Sequence, residues 1–295
     1  MVALIAWFAW ANWAAINPAG WLGRLHWGWA LLALAASAGT LAGNAFNLMG
    51  SAPLRLRFGR TMAVQSTGTV ARLVSPASVG GSAVNIAYLR RLGVRTSAAV
   101  TAVGISHVVQ FVSTTLLLLV TLWLGNAPVH MGLPSGRYTA IVPLALLVAG
   151  TVALLILRRA PSVWARVEAL VAEVRQSLAT LLLHPRRAVL GFGGSVLISV
   201  ALTVSLWAAA HAFGAPLGLG SALLILLLGS TAGGLIPVPG GIGAIDACLV
   251  AALTASGFGL AVAVPTVALF RLVTLWLHLP VGLAAGAVLR RRGWL

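Results

Sequence analysis

The sequence predicts an all-α polytopic membrane protein: about six or seven membrane helices plus two re-entrant helical hairpins arranged as an inverted repeat. Three observations lead there. First, 60% of the 295 residues are hydrophobic and only 7% are charged, with a mean hydropathy of +1.02. A soluble domain carries about 25% charged residues, so this chain cannot cover a water-facing surface and its solvent is lipid. Second, all 19 basic residues are Arg and fall in short clusters between apolar runs, the pattern of the positive-inside rule. Third, two of the apolar runs are broken by Pro and paired Gly, residues that interrupt helices.

The net charge of +16 does not indicate nucleic-acid binding, because the Arg residues are not gathered on one soluble face. Their clusters are placed to meet anionic lipid head groups. The single cysteine, Cys248, lies in an apolar run. It leaves no intrachain disulfide and no Cys-based metal site, and reads as a small buried hydrophobe.

Residues 1–22 hold four Trp (Trp7, Trp10, Trp13 and Trp21) and lack the basic start of a signal peptide. They read as a membrane or interfacial helix. A first span over 27–49 is followed by Arg55, Arg57 and Arg60, which places that loop in the cytoplasm. The next run, 61–89, is bounded by Arg60 on one side and by Arg90, Arg91 and Arg95 on the other. It therefore enters and leaves on one side. Its middle, Ser75 to Ser82, contains Pro76 and Gly80-Gly81. Two arms of about 14 residues are too short to span but long enough for a re-entrant hairpin, which survives at depth only inside protein or beside a water-filled cavity.

A long span over 97–124, an outer loop over 125–137 and a span over 138–157 follow. The stretch 158–187 is charge-rich, with Glu168, Glu173, Arg166 and Arg175 among apolar residues at helical spacing, and predicts a cytoplasmic amphipathic helix. After a span over 188–213, the run 219–256 contains Pro237, Pro239 and Gly240-Gly241 with no flanking Arg cluster, a second hairpin, entered from outside. The last span, 261–289, returns to Arg290, Arg291 and Arg292, so the C-terminus is expected in the cytoplasm. The whole chain, 1–295, reads as a single transmembrane domain, with half-repeats at 27–124 and 188–289. In each half a Pro and Gly-Gly precede an isolated polar residue, Asn85 or Asp246, and later a Gly stands 14 positions before a basic residue, His107 or Arg271. Inverted repeats with broken helices are a common way to build a transport site.

At these residues the chain resembles the flippase-like membrane domain of the lysylphosphatidylglycerol synthases and their stand-alone relatives. An early Pro-x(3)-Gly-Gly element with a basic loop after it corresponds to Pro76–Gly81 and Arg90–Arg95. A late Pro-x-Pro-Gly-Gly-x-Gly element, then an acid and an Arg, corresponds to Pro237–Gly243, Asp246 and Arg271. The family usually has Glu at the position of Asp246, and many members have an acidic–Arg pair where this chain has His107. The sequence contains no long soluble segment for the aminoacyl-transfer domain, so the resemblance implies lipid translocation or handling rather than lysyl transfer.

Asp246 is the one acid outside the amphipathic stretch. A charge at the bilayer centre costs roughly 2.5–3.5 kcal/mol on insertion scales and needs a partner, for which Arg271 is the natural choice, either as a structural ion pair or as part of a substrate or proton-coupling site. Arg72 either grips a lipid phosphate or snorkels to the interface. Gly80-Gly81 and Gly240-Gly241 are expected to start the returning helices, as tight turns or with amide groups presented to an anion; Ser82 and Asn85 add hydrogen-bonding capacity. His107 and Gln110 share a helix face and read as a head-group or proton site, or as an interhelical hydrogen bond. With three acids in all, no zinc-like spacing, no Gly-x-Ser-x-Gly elbow and no Walker sequence, neither an enzyme nor a metal or other cofactor is expected. The expected function is translocation of an anionic phospholipid or polyprenyl-phosphate-linked lipid across the cytoplasmic membrane, with membrane lipids as partners. The alternatives are an ion-coupled small-solute transporter and a non-transporting envelope scaffold.

Overall fold

The computed structural model describes residues 25–75, 79–123, 184–234 and 241–294, together with positions 21, 23 and 238. The described elements are all helical. In order they are α1 (Trp27–Ser51), α2 (Phe58–Val74), α3 (Gly80–Arg91), α4 (Thr96–Trp123), α5 (Pro185–Ala212), α6 (Leu219–Gly234), α7 (Ala244–Ala255) and α8 (Leu260–Arg271). A π-helical segment (Leu272–Trp276) and α9 (His278–Arg291) complete the set. The expected N-terminal helix, the span 138–157 and nearly all of the amphipathic segment lie outside the described residues. Arg186 and Arg187, at the end of that segment, form the first turn of α5, because Pro185 supplies a favourable helix start.

Four described helices are long and apolar enough to cross a membrane: α1, α4, α5 and the 32-residue run Leu260–Arg291. The arms of the two predicted hairpins are shorter. They have 17 and 12 residues in α2 and α3, and 16 and 12 in α6 and α7. At 1.5 Å per residue these are about 18–25 Å long, less than the ~30 Å hydrocarbon core. Within each pair the helices pack antiparallel. Gln65 bonds Asn85, and Gly229 and Gly233 lie against Leu249 and Ile245.

The frame is the antiparallel pair α1 and α5, the most extensive packing among the described helices. Glycine makes it possible. A Cβ on Gly43 would sit 2.8 Å from Gly194 O, and one on Gly50 would strike the backbone of Gly191. Small residues let helix backbones approach closely in a medium where apolar burial against lipid gains little.

Two apolar cores lie at opposite ends of this frame. At the Arg-rich end, Leu48, Leu56, Tyr88, Leu89, Val103 and Leu289 form a buried cluster joining α1, α2, α3, α4 and α9. There Arg187 donates to Pro53 O at 2.9 Å, and the Arg60 guanidinium lies 3.9 Å over the Trp294 ring. At the far end, Leu206, Ile225, Leu226, Leu249, Leu253, Val267 and Phe270 join α5, α6, α7 and α8, and His26 bonds Ala212 O. The open end of the α2–α3 pair is thus in one core and that of the α6–α7 pair in the other.

Candidate functional site

Between the two cores is a cavity of about 460 Å³, lined by α1, both hairpins, α4, α5 and the long run through α8 and α9. Of the residues predicted from sequence, Arg72, Gly81, Ser82, Asn85, His107 and Arg271 line it together.

Arg72 is on the last turn of α2. Its Nη2 donates to Thr69 Oγ1 at 3.0 Å, and its side chain faces the cavity rather than a membrane surface. The aliphatic part crosses the start of α3, where a Cβ on Gly81 would come within 2.9 Å of Arg72 Cγ. Gly80 opens α3, as the sequence led one to expect, but its amide already donates to Ser75 Oγ at 2.7 Å. Ser82 Oγ and His107 Nε2 share a hydrogen bond of 3.0 Å between α3 and α4. Asn85 accepts from Gln65 Nε2 at 3.1 Å. The polar residues after the first Gly-Gly therefore tie the hairpin to itself and to its neighbour as they face the cavity.

Arg271 ends α8. Its Nε donates to Asp246 Oδ1, and its Nη2 contacts Gly241 O at 3.4 Å. Asp246 uses its other oxygen to accept the Gly243 amide at 2.8 Å, so one carboxylate caps α7 and also neutralises the arginine. The half-buried carboxylate thus has both a counter-ion and a hydrogen bond. The second helix pair differs from the first at its glycines. Gly241 and Gly243 take φ of +65° and +82°, and α7 begins only at Ala244. Gly241 lies in the turn, the tight-turn role the sequence also allowed, and does not begin the helix, because left-handed backbone cannot enter a right-handed helix. Gly240 lies outside the described residues.

The π segment follows Arg271 directly. It brings Thr274, Leu275 and His278 onto the cavity along with Arg271, and His278 Nδ1 donates to Thr274 O at 3.0 Å. Such segments recur at functional sites.

Sequence reading missed much of the cavity wall. Thr40, Asn44 and Asn47 on α1 and Gln65 and Thr69 on α2 all line it. A signal was available: Ser37, Thr40, Asn44, Asn47 and Ser51 alternate at spacings of three and four, which is one helical face. Asn47 Nδ2 donates to Ser106 O at 2.9 Å. Gln110 Nε2 donates to Ser199 Oγ at 3.1 Å and to Thr114 Oγ1 at 3.0 Å, holding α4 to α5. No group of three potential metal ligands occurs among the described residues.

Chemically, the described residues of the cavity offer two guanidinium groups, one of them paired, within a wall of neutral polar and apolar side chains. Guanidinium groups in such a setting are suited to an anion. A model of the family described as the lysylphosphatidylglycerol synthase TM region matches residues 1–282. No curated protein and no solved structure matches the chain significantly.

Proposed function

The chain belongs to the lysylphosphatidylglycerol synthase transmembrane-region family, and from that premise we propose that it is a lipid translocator, not an enzyme, carrying an anionic lipid across the cytoplasmic membrane. The observation that supports this most is the cavity between two separately cored ends, with Arg72 and Arg271 on its wall. Guanidinium groups are suited to phosphate, and a polar chamber flanked by apolar helices holds a head group while the acyl chains stay in lipid.

In this reading α2–α3 and α6–α7 are re-entrant hairpins entered from opposite faces, the two halves form an inverted repeat, and six or seven helices span the bilayer. The Arg-rich loops and the C-terminus face the cytoplasm, in keeping with the positive-inside rule. Leu73 and Gly81 near one turn and Ile245 near the other line the cavity, in keeping with alternating access to one central site.

Reconstituted vesicles carrying tail-labelled fluorescent lipids test the proposal. Protein-dependent movement of an anionic lipid between leaflets is expected. Arg72→Gln, which leaves the Asp246–Arg271 pair intact, should slow it roughly tenfold or more, the loss of about one charge-assisted hydrogen bond. Full-speed movement in that variant would remove Arg72 from the site. The Asp246–Arg271 pair favours one second reading, an ion-coupled small-solute transporter gated by the pair. Solute uptake driven by an ion gradient, without lipid movement, would establish that reading instead. Neither activity would leave the scaffold role.

A further inference from the structure

The fixed charges on the cavity wall are few. Arg72 and Arg271 supply two positive groups. Arg271 is neutralised by Asp246, the one acid among the described residues, whereas Arg72 donates to a neutral hydroxyl, that of Thr69. Thr40, Asn44, Gln65, Ser82 and Asn85 add only amides and hydroxyls. His107 and His278 bond neutral partners, Ser82 and the Thr274 carbonyl, and neither is a permanent charge. Among the described residues the wall therefore carries one positive charge without a counter-ion.

Building on the translocator reading, we infer that the cavity is matched to a single negative charge and takes a phosphodiester head group in preference to a phosphate monoester or diphosphate. A diester has one ionised oxygen. A monoester carries about −1.5 to −2 near neutral pH, and its second charge has no counter-ion among the described residues of this wall. An unmatched charge in a low-dielectric interior is strongly disfavoured. The amide and hydroxyl groups around Arg72 suit a head group with hydroxyls beyond the diester, since amides and hydroxyls both donate to and accept from a hydroxyl. Two sources share this chemistry: a glycerophospholipid with a polyol head group, and a polyprenyl-phosphate-linked sugar.

Two tail-labelled pairs separate the possibilities in vesicles containing the full chain: phosphatidylglycerol against phosphatidic acid, and a polyprenyl-phosphohexose against the polyprenyl phosphate. Within whichever pair moves, the diester is expected to move roughly a hundredfold faster, the effect of one unmatched charge; the pair that moves names the source. Asp246→Asn leaves Arg271 unpaired and the wall doubly positive, so it should raise the monoester-to-diester ratio about tenfold. A wild-type monoester rate equal to or above that of the diester overturns the charge match while leaving translocation intact, as does an unchanged ratio in folded Asp246→Asn protein. If none of the four lipids moves, the translocator reading fails. Retention of the same lipids by the purified protein in native mass spectrometry then decides the charge match alone: preferential retention of the diester supports it, and equal or stronger retention of the monoester overturns it.

Discussion

A Cβ on Gly81 would lie 2.9 Å from Arg72 Cγ and 3.0 Å from Cδ, so the path of this arginine into the cavity depends on a neighbour that lacks a side chain. Gly81→Ala adds one methyl and should push the guanidinium off Thr69. Anionic-lipid transfer is expected to fall roughly tenfold while the unfolding temperature in lipid nanodiscs stays close to wild type, since alanine also favours the helix. Full activity would mean that Arg72 reaches its place by another route. The sequence made Arg72, Gly81, Asp246 and Arg271 visible because charges and paired glycines are rare in apolar runs. It hid Asn44, Gln65 and Thr69. Ser, Thr and Asn in an apolar helix can bond the carbonyl one turn back, as Thr69 does to Gln65 O and Asn44 to Thr40 O. They are then tolerated at many positions, and only packing shows which of them face a common space.

At the level of elements, both short helix pairs were legible from their Pro and Gly breaks, the first also from its flanking charges, to within three residues at each end. The α1–α5 crossing was not. Its glycines, Gly43, Gly50, Gly191 and Gly194, are 141 or more positions apart between the two helices, and nothing local says that they meet. A side chain at Gly194 would collide with Asn47 N, Gly43 O and Phe46 C, all backbone atoms that cannot turn aside. Gly194→Leu should therefore destabilise the protein by about 3 kcal/mol or more, in the range of severe overpacking. Gly193→Leu, at a position where an added Cβ meets nothing within 4 Å, should be near neutral. Thermal unfolding of the two variants side by side checks this, and equal melting temperatures would show that the crossing tolerates separation.

For the molecule as a whole, membrane residence followed from composition, and the described elements, all helical and four of them long enough to span, agree with it. The placement of the two cores at opposite ends makes a topological prediction. With Cys248 replaced by Ala, cysteines introduced at Gly59 and Gly93, which flank the first hairpin, should label from the cytoplasmic face. Those at Gly218 and Gly257, flanking the second, should label from the opposite face; all four positions are exposed. Labelling of Gly59 and Gly93 from different faces would make the first hairpin a span and end the inverted-repeat proposal. The π segment has a further effect on the whole. A π turn holds one residue more than an α turn, so everything beyond it is rotated by about 100°. Beyond it, Gly282 is pressed against Ser66 O and His278 lines the cavity. Deleting one residue between Arg271 and His278 would keep every wall side chain and still turn His278 away and lift Gly282 from α2. The site is thus set by a count as well as a composition. Two relatives with the same cavity residues but a different number of positions between that arginine and that histidine would have different chambers, and a comparison of residue identities alone would pass over the change.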